Sequence, residues 1–186
     1  MKIYIKNMVS NRCKLIVKSE LDKLGIVYNL VELGEVELAE KSSASKYEEL
    51  KEALLKWDFA LMDDRKTILA ERIKAVIINM VHLSTELPTK NYSDYISRKL
   101  LHDYTYLSNV FSEVEGITIE HFIIAHKIEK VKELLLYGEY NITEIAGMLN
   151  YSNIAHLSNQ FKKVTGVTPT FFKAMKNKTR ISLEDL

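Results

Sequence analysis

The hydrophobic pattern of this 186-residue chain changes period near residue 63. Before that point, stretches of period two alternate with stretches of period 3.6. Ile3 and Ile5 alternate with Lys2, Tyr4 and Lys6, as a half-buried strand requires. Residues 11–24 then place Cys13, Ile16, Val17, Leu21 and Leu24 on one helical face, and Gly25 supplies the stop. "IVYNLVELGEVELAE" reads as two strands around a turn at Gly34. "KYEELKEALLKW" sets Tyr47, Leu50, Leu54 and Trp57 on the face of a second helix, and "FALMD" is a last short strand. The order strand-helix-strand-strand-helix-strand predicts a ferredoxin-like βαββαβ domain over residues 1–63.

From residue 64 every segment reads as helical. "RKTILAERIKAVIINMVHL" carries Ile68, Leu69, Ile73, Val76, Ile77, Met80 and Val81 at helical spacing. This predicts a connecting helix over 64–86 that is also the first helix of a second domain, with Pro88 in "STELPTKN" as its stop signal. The second domain covers 87–176, and 177–186 is a C-terminal tail. The expected fold class is therefore α+β, a ferredoxin-like domain followed by an all-α domain.

The all-α part contains an internal repeat. "YLSNVFSEVEGIT" at 106–118 aligns with "HLSNQFKKVTGVT" at 156–168, an offset of fifty with seven of thirteen positions identical. Upstream, "NYSDY" at 91 pairs with "NITEI" at 141, so each copy begins with an Asn N-cap, a hydroxyl and an acid. Leu107, Val110, Phe111 and Val114 share one face, as do Leu157, Phe161 and Val164. The opposite face holds Thr105, Ser108, Asn109 and Ser112 in copy one, and Ala155, Ser158, Asn159, Lys162 and Lys163 in copy two. Two short helices across a turn, the second with a polar outer face, is the design of a helix-turn-helix reader of the major groove. The two copies put these reading helices near 104–114 and 154–164. Between them, residues 118–137 read as one helix with Phe122, Ile123, Ala125, His126, Val131, Leu134 and Leu135 inward. Its length of about 30 Å is close to the roughly 34 Å between successive major-groove faces of B-DNA.

Composition alters this picture little. Hydrophobic residues are 47% and charged residues 27%, the balance of a globular protein. The net charge of +1 would not by itself suggest a nucleic-acid partner. One cysteine excludes an intrachain disulfide and suits a reducing compartment. No apolar run approaches the roughly 20 residues of a membrane span, and "MKIYIKN" has no signal-peptide character. The expectation is a cytoplasmic protein without membrane partners. With no phosphate loop, paired-carboxylate motif or nucleophile elbow, it is not expected to be an enzyme or to need a cofactor.

"KIEKVKELLLYGEYNITEIAGMLNYSNIAHLSNQFKKVTGVTPTFFK", residues 127–173, resembles the signature of the AraC/XylS family of bacterial transcription regulators. "YLSNVFSEVEGITIEHFIIAHKI" is similar to the first half of the same two-motif domain, so the resemblance spans about residues 65–176. It implies a sequence-specific regulator that binds double-stranded DNA through two helix-turn-helix units joined by a long helix. RNA polymerase and a second copy of the chain are further candidate partners. Carried over, base-facing positions fall on Thr105, Ser108 and Asn109, and on Ile154, Ala155, Ser158 and Asn159. Phosphate contacts fall near Lys162, Lys163 and Lys173; Tyr106, Ser112 and Asn153 complete the expected DNA-binding set. Two departures stand out. Asn109 and Asn159 occupy positions that often carry arginine in the family, and the first reading helix has no Lys or Arg but carries Glu113 and Glu115.

The N-terminal part resembles the heavy-metal-associated ferredoxin-like domain, through its element order and the placement of "NMVSNRC" between first strand and first helix. A soft-metal site there needs paired thiolates, yet serine stands at position 10. Cys13, the one candidate thiolate, with Met8 beside the loop as a conceivable thioether partner, falls on the buried face, where a free thiol acts as a small apolar residue, so no metal is expected. His82, His102, His121, His126 and His156 form no ligand cluster in the sequence. The alternative reading is a metallochaperone-like or protein-interaction module whose helical domain no longer binds DNA tightly.

Overall fold

The computed structural model describes residues 1–40, 43–84 and 91–175. The Pro88 stop and the tail at 177–186 lie outside the described residues. The chain divides into two compact units, Met1–Val76 with Thr105–Gly116, and Ile77–Tyr104 with Ile117 onward.

In the first unit the period-two stretches pair as a sheet. Strands β1 (Lys2–Lys6), β2 (Tyr28–Glu32), β3 (Glu35–Leu38) and β4 (Ala60–Met62) lie in the order β2-β3-β1-β4, every neighbouring pair antiparallel. Ile3 and Ile5 of β1 and Val36 and Leu38 of β3 are buried, since alternate side chains of a strand share one face. Helix α1 (Asn11–Lys23) packs against β2 and beside α2 (Ala44–Leu55), which also reaches β4. Cys13, Val17 and Leu21 of α1 and Leu50 and Leu54 of α2 are buried, whereas Ile16 and Leu24 are half-buried. Trp57 departs from its expected place on the α2 face. The helix ends at Leu55, Asp58 takes a φ of +61°, and the chain turns before the next helical position is reached. Trp57 stays half-exposed, and its Nε1 donates to Glu20 Oε1 at 3.3 Å, while Phe59 is buried.

Helix α3 (Arg65–Ile78) gives way to a π-helical turn, Asn79–Leu83, so the connecting segment is not one uniform α-helix. The second unit continues with α4 (Tyr92–Leu100), α6 (Ile119–Tyr137), α7 (Ile142–Met148), α8 (Ile154–Thr165) and α9 (Pro169–Ala174), while α5 (Tyr104–Glu115) falls almost wholly in the first unit. Four of the seven repeat identities now have structural reasons. Leu107/Leu157 and Phe111/Phe161 are fully buried. Gly116 and Gly166 follow α5 and α8 with φ of +72° and +80°, a conformation that a Cβ disfavours. Thr118 and Thr168 then cap α6 and α9, their hydroxyls each accepting at 3.2 Å from the backbone N–H of His121 and Phe171.

Two expectations from the repeat fail. Asn141 caps α7 through a full capping box, its Oδ1 accepting from Thr143 N at 2.9 Å and Glu144 N at 3.0 Å. Asn91 makes no such bond: its φ of +47° turns the side chain from the helix end, and its Oδ1 accepts from Ser93 Oγ at 2.7 Å. Val164 was expected inward but is 49% exposed. In the last turn of α8 the inner edge shifts to Thr165, whose Oγ1 donates to the Phe161 carbonyl at 2.8 Å, while Phe172 of α9 meets the Phe161 ring at 5.6 Å.

Where α4 ends, Leu101 adopts φ +57° with its side chain 88% exposed; the turn after α7 uses Asn150, φ +52°, for the same purpose. A left-handed leucine is strained by its Cβ, and asparagine tolerates that region far better. Leu101→Asn is expected to stabilise the chain by about 0.5–1 kcal/mol, and the β-branched Leu101→Val to destabilise it. Denaturant unfolding of the two variants reads the opposite signs.

Candidate nucleic-acid interface

Helix α8 is held from within and polar outside. Asn153 is its N-cap, Oδ1 accepting from His156 N at 2.8 Å. Leu157 and Phe161 anchor it in a cluster with Ile128, Val131 and Leu135 of α6, Ile145 and Ala146 of α7, and Phe172 of α9. Burying that stripe turns Ala155, Asn159, Lys162 and Lys163 to solvent, with Ser158 half-buried and Ile154 42% exposed. Lys173 on α9 is exposed as well. Among the described residues, Lys162, Lys163 and Lys173 take part in none of the ion pairs.

Helix α5 repeats the geometry with different electrostatics. Leu107, Val110 and Phe111 are buried, Thr105, Tyr106 and Asn109 are exposed, and Ser108 and Ser112 are half-buried. Its two glutamates, which read in the sequence as repulsive to phosphate, both have partners on α3. Lys66 Nζ lies 2.6 Å from Glu113 Oε1. Lys74 Nζ lies 2.8 Å from Glu115 Oε2 and 2.9 Å from Glu71 Oε1. Burial by itself lowers the Lys74 pKa, but the bond to Glu115 and the attraction of Glu71 outweigh it and hold the ammonium above its ordinary value. The sequence contained both lysines, eight apart on α3, without showing what they would face.

Comparison with known proteins agrees with this arrangement. Residues 96–175 match the family model of a helix-turn-helix domain. The chain is 28% identical over 100 residues to an HTH-type transcriptional regulator, YtdP, of Bacillus subtilis, covering 54% of this chain and 13% of that protein. It is also 28% identical over 100 residues to the bifunctional transcriptional activator/DNA repair enzyme AdaA of Bacillus subtilis, covering 51% of this chain and 47% of that one. The chain therefore spans less than half the length of these curated relatives. In fold it is similar to the C-terminal domain of AraT, a response regulator of Geobacillus stearothermophilus, with a TM-score of 0.51 and 24% identity over 64% of this chain and 93% of that one. Residues 96–175 are a helix-turn-helix domain.

Outside α5 and α8, the fold joins residues that no spacing rule connects. His82, in the π-turn, and His126 of α6 lie with Nε2 and Nδ1 3.1 Å apart. Cys13 is buried at 4% exposure with its Sγ 3.3 Å from Ser10 Oγ. Among the described residues, no group of three or more His, Cys, Asp or Glu could hold a metal ion. No described helix is long and apolar enough to cross a membrane.

Sequence reasoning passed over Lys127, although its place four residues after Ile123 and four before Val131 marks it as inward. It is 6% exposed; its Nζ stands 3.9 Å from the Tyr151 ring centroid, 5.5 Å from that of Tyr92 and 3.5 Å from Tyr92 Oη. Loss of water pushes its pKa down to about 8. Burial pushes the Tyr151 hydroxyl well up, with Tyr92 adding to the effect. Folding thus disfavours protonated Lys127, and the unfolded chain binds more protons between about pH 8 and the ordinary lysine value. Stability should rise by on the order of 2 kcal/mol from pH 8 towards pH 10, before tyrosine ionisation in the unfolded chain reverses it. Unfolding measured across that range checks this, and in Lys127→Met the rise should vanish.

Proposed function

We propose that the chain is a sequence-specific transcription regulator that reads double-stranded DNA with α5 and α8 in successive major grooves. The observation that carries the reading is α8 itself: a helix fixed by Leu157 and Phe161 that presents Asn159, Lys162 and Lys163 outward. Exposed lysines gain affinity by displacing counterions from phosphates, while the amide of asparagine suits the N6 and N7 edge of adenine. Thr105, Tyr106, Ser108, Asn109 and Ser112 would read one groove, and Asn153, Ile154, Ala155, Ser158 and Asn159 the other. Lys162, Lys163 and Lys173 would set the register on phosphate. The 19 residues of α6 make a rod of about 28 Å, close to the helical repeat of B-DNA, which supports one chain serving two turns of one face. With no Lys or Arg of its own, α5 would be the weaker electrostatic partner even with its glutamates paired, so α8 and α9 would carry most of the attraction.

In this reading the DNA-binding part covers 87–176, with 64–86 as connector, and the chain acts in the cytoplasm without catalysing a reaction. RNA polymerase and a second copy of the chain are the protein partners the function calls for. Residues 1–63 are read as a ferredoxin-like domain similar to heavy-metal-associated domains. Its strand order, with β1 and β3 central and both helices in the crossovers, supports that. Cys13 serves there as core, because a single buried thiol beside a serine hydroxyl offers a soft metal too little.

Selection from random DNA should return A·T-rich half-sites; G-rich sites would sink the assignment of Asn109 and Asn159. On the selected site Asn159→Ala is expected to cost roughly 1–3 kcal/mol and to relax the preference at one base pair. Replacing Lys162 and Lys163 with alanine should weaken binding to all sequences alike and flatten the log–log salt slope by about 2. Affinity indifferent to salt would instead favour a protein-interaction module.

A further inference from the structure

A cleft of about 430 Å³ opens beside Lys127, lined by α4, α6, α8 and the turn before α8. All of its lining belongs to one compact unit. The size falls within the roughly 300–1,000 Å³ of small-molecule sites. Its lining joins one buried cation to neutral hydrogen-bonding groups, Ser93, Asn150 and Gln160, and to an apolar side made by Ile123 and Ile124.

The cation is poorly served by the protein. An ammonium has three N–H donors, and Lys127 meets one acceptor, Tyr92 Oη, at 3.5 Å. Its other close neighbours are the faces of Tyr92 and Tyr151, which attract a cation without accepting a full hydrogen bond. No carboxylate contributes to its titration, which burial alone governs. Keeping an amine in such surroundings is costly unless something compensates it.

We propose that this cleft binds a small carboxylate, whose oxygens take the Lys127 ammonium and whose short apolar body lies along Ile123 and Ile124. A single lysine matches a single negative charge. A phosphate dianion would leave one charge uncompensated, with Glu120 also at the cleft wall. Tyr92 on α4, Tyr104 on α5 and Tyr151 in the turn, the phenols around the site, carry no positive charge in either protonation state, and His156 on α8 also stands at the cleft wall. Gln160 and His156 stand on α8 itself, so an occupied cleft would tie the reading helix to α4 and α6. That coupling to DNA rests on the function proposed above; the site does not.

The test uses the full chain without DNA, titrated calorimetrically with butyrate and, separately, with inorganic phosphate. Measurements near pH 8 in two buffers of different ionisation heat count the protons taken up. Butyrate should saturate one site with proton uptake, because an anion beside a half-protonated Lys127 draws a proton onto it. Lys127→Met should abolish the uptake and weaken binding about tenfold or more, while the chain still unfolds cooperatively. Gln160→Leu, at the cleft wall, should weaken butyrate several-fold and leave the uptake in place. Three results would overturn the site: no saturable butyrate binding, phosphate bound in preference to butyrate, or Lys127→Met binding like the parent chain. A chain that failed to bind DNA yet passed this titration would lose the regulatory coupling and keep the site.

Discussion

The helical unit depends on the burial of α6. Eleven of its nineteen residues are buried, on more than one face, and the second helix-turn-helix is assembled against it. Ile128, Val131, Leu134 and Leu135 form the floor on which Ile145 of α7, Leu157 and Phe161 of α8 and Phe172 of α9 converge. A short helix such as α7 or α8 is marginal alone in water and gains most of its stability from such packing. What α8 shows to solvent is therefore set by what it buries.

That hub also contains groups that ordinarily avoid interiors. His126, Lys127, Glu129 and Lys132 are all buried. Glu129 and Lys132 pair with each other, three residues apart on the same helix, so each offsets the other's lost hydration. His126 meets His82 across the π-turn. Among the described residues Lys127 meets a phenol oxygen and aromatic faces, and loss of water lowers its pKa. Polar groups that are hydrogen-bonded define one arrangement of a core, whereas one left with spare donors points to a ligand or a functional constraint.

Much of the architecture was legible in the sequence. The alternation at Ile3 and Ile5, the stripe through Cys13, Val17 and Leu21, and the turn at Gly34 all have counterparts in the sheet unit. The repeat located α5 and α8, and four of its seven identical pairs proved to be core anchors (Leu107/Leu157, Phe111/Phe161), left-handed glycines (Gly116/Gly166) and threonine caps (Thr118/Thr168). The misreadings share one cause. Trp57 and Val164 were assigned by continuing a local period to a helix end, and Asn91 by its match to Asn141; at each of these helix ends the turn geometry and the next element decide orientation. The partners of Glu113 and Glu115 were not legible in the sequence, since these glutamates meet their lysines across 47 and 41 residues of chain.

By itself the sequence determined most of the element types, the repeat and most of the exposed face of α5 and α8. These follow from periods of two and 3.6 and from capping residues that act within a few positions of each other. Only the tertiary structure decided the environment of each charge. Lys127 became a desolvated amine at a cleft wall, Lys66 and Lys74 became counterions for α5, and Lys162 and Lys163 stayed in solvent. Charge energies depend on distance and on access to water, and both are fixed when segments remote in sequence pack together.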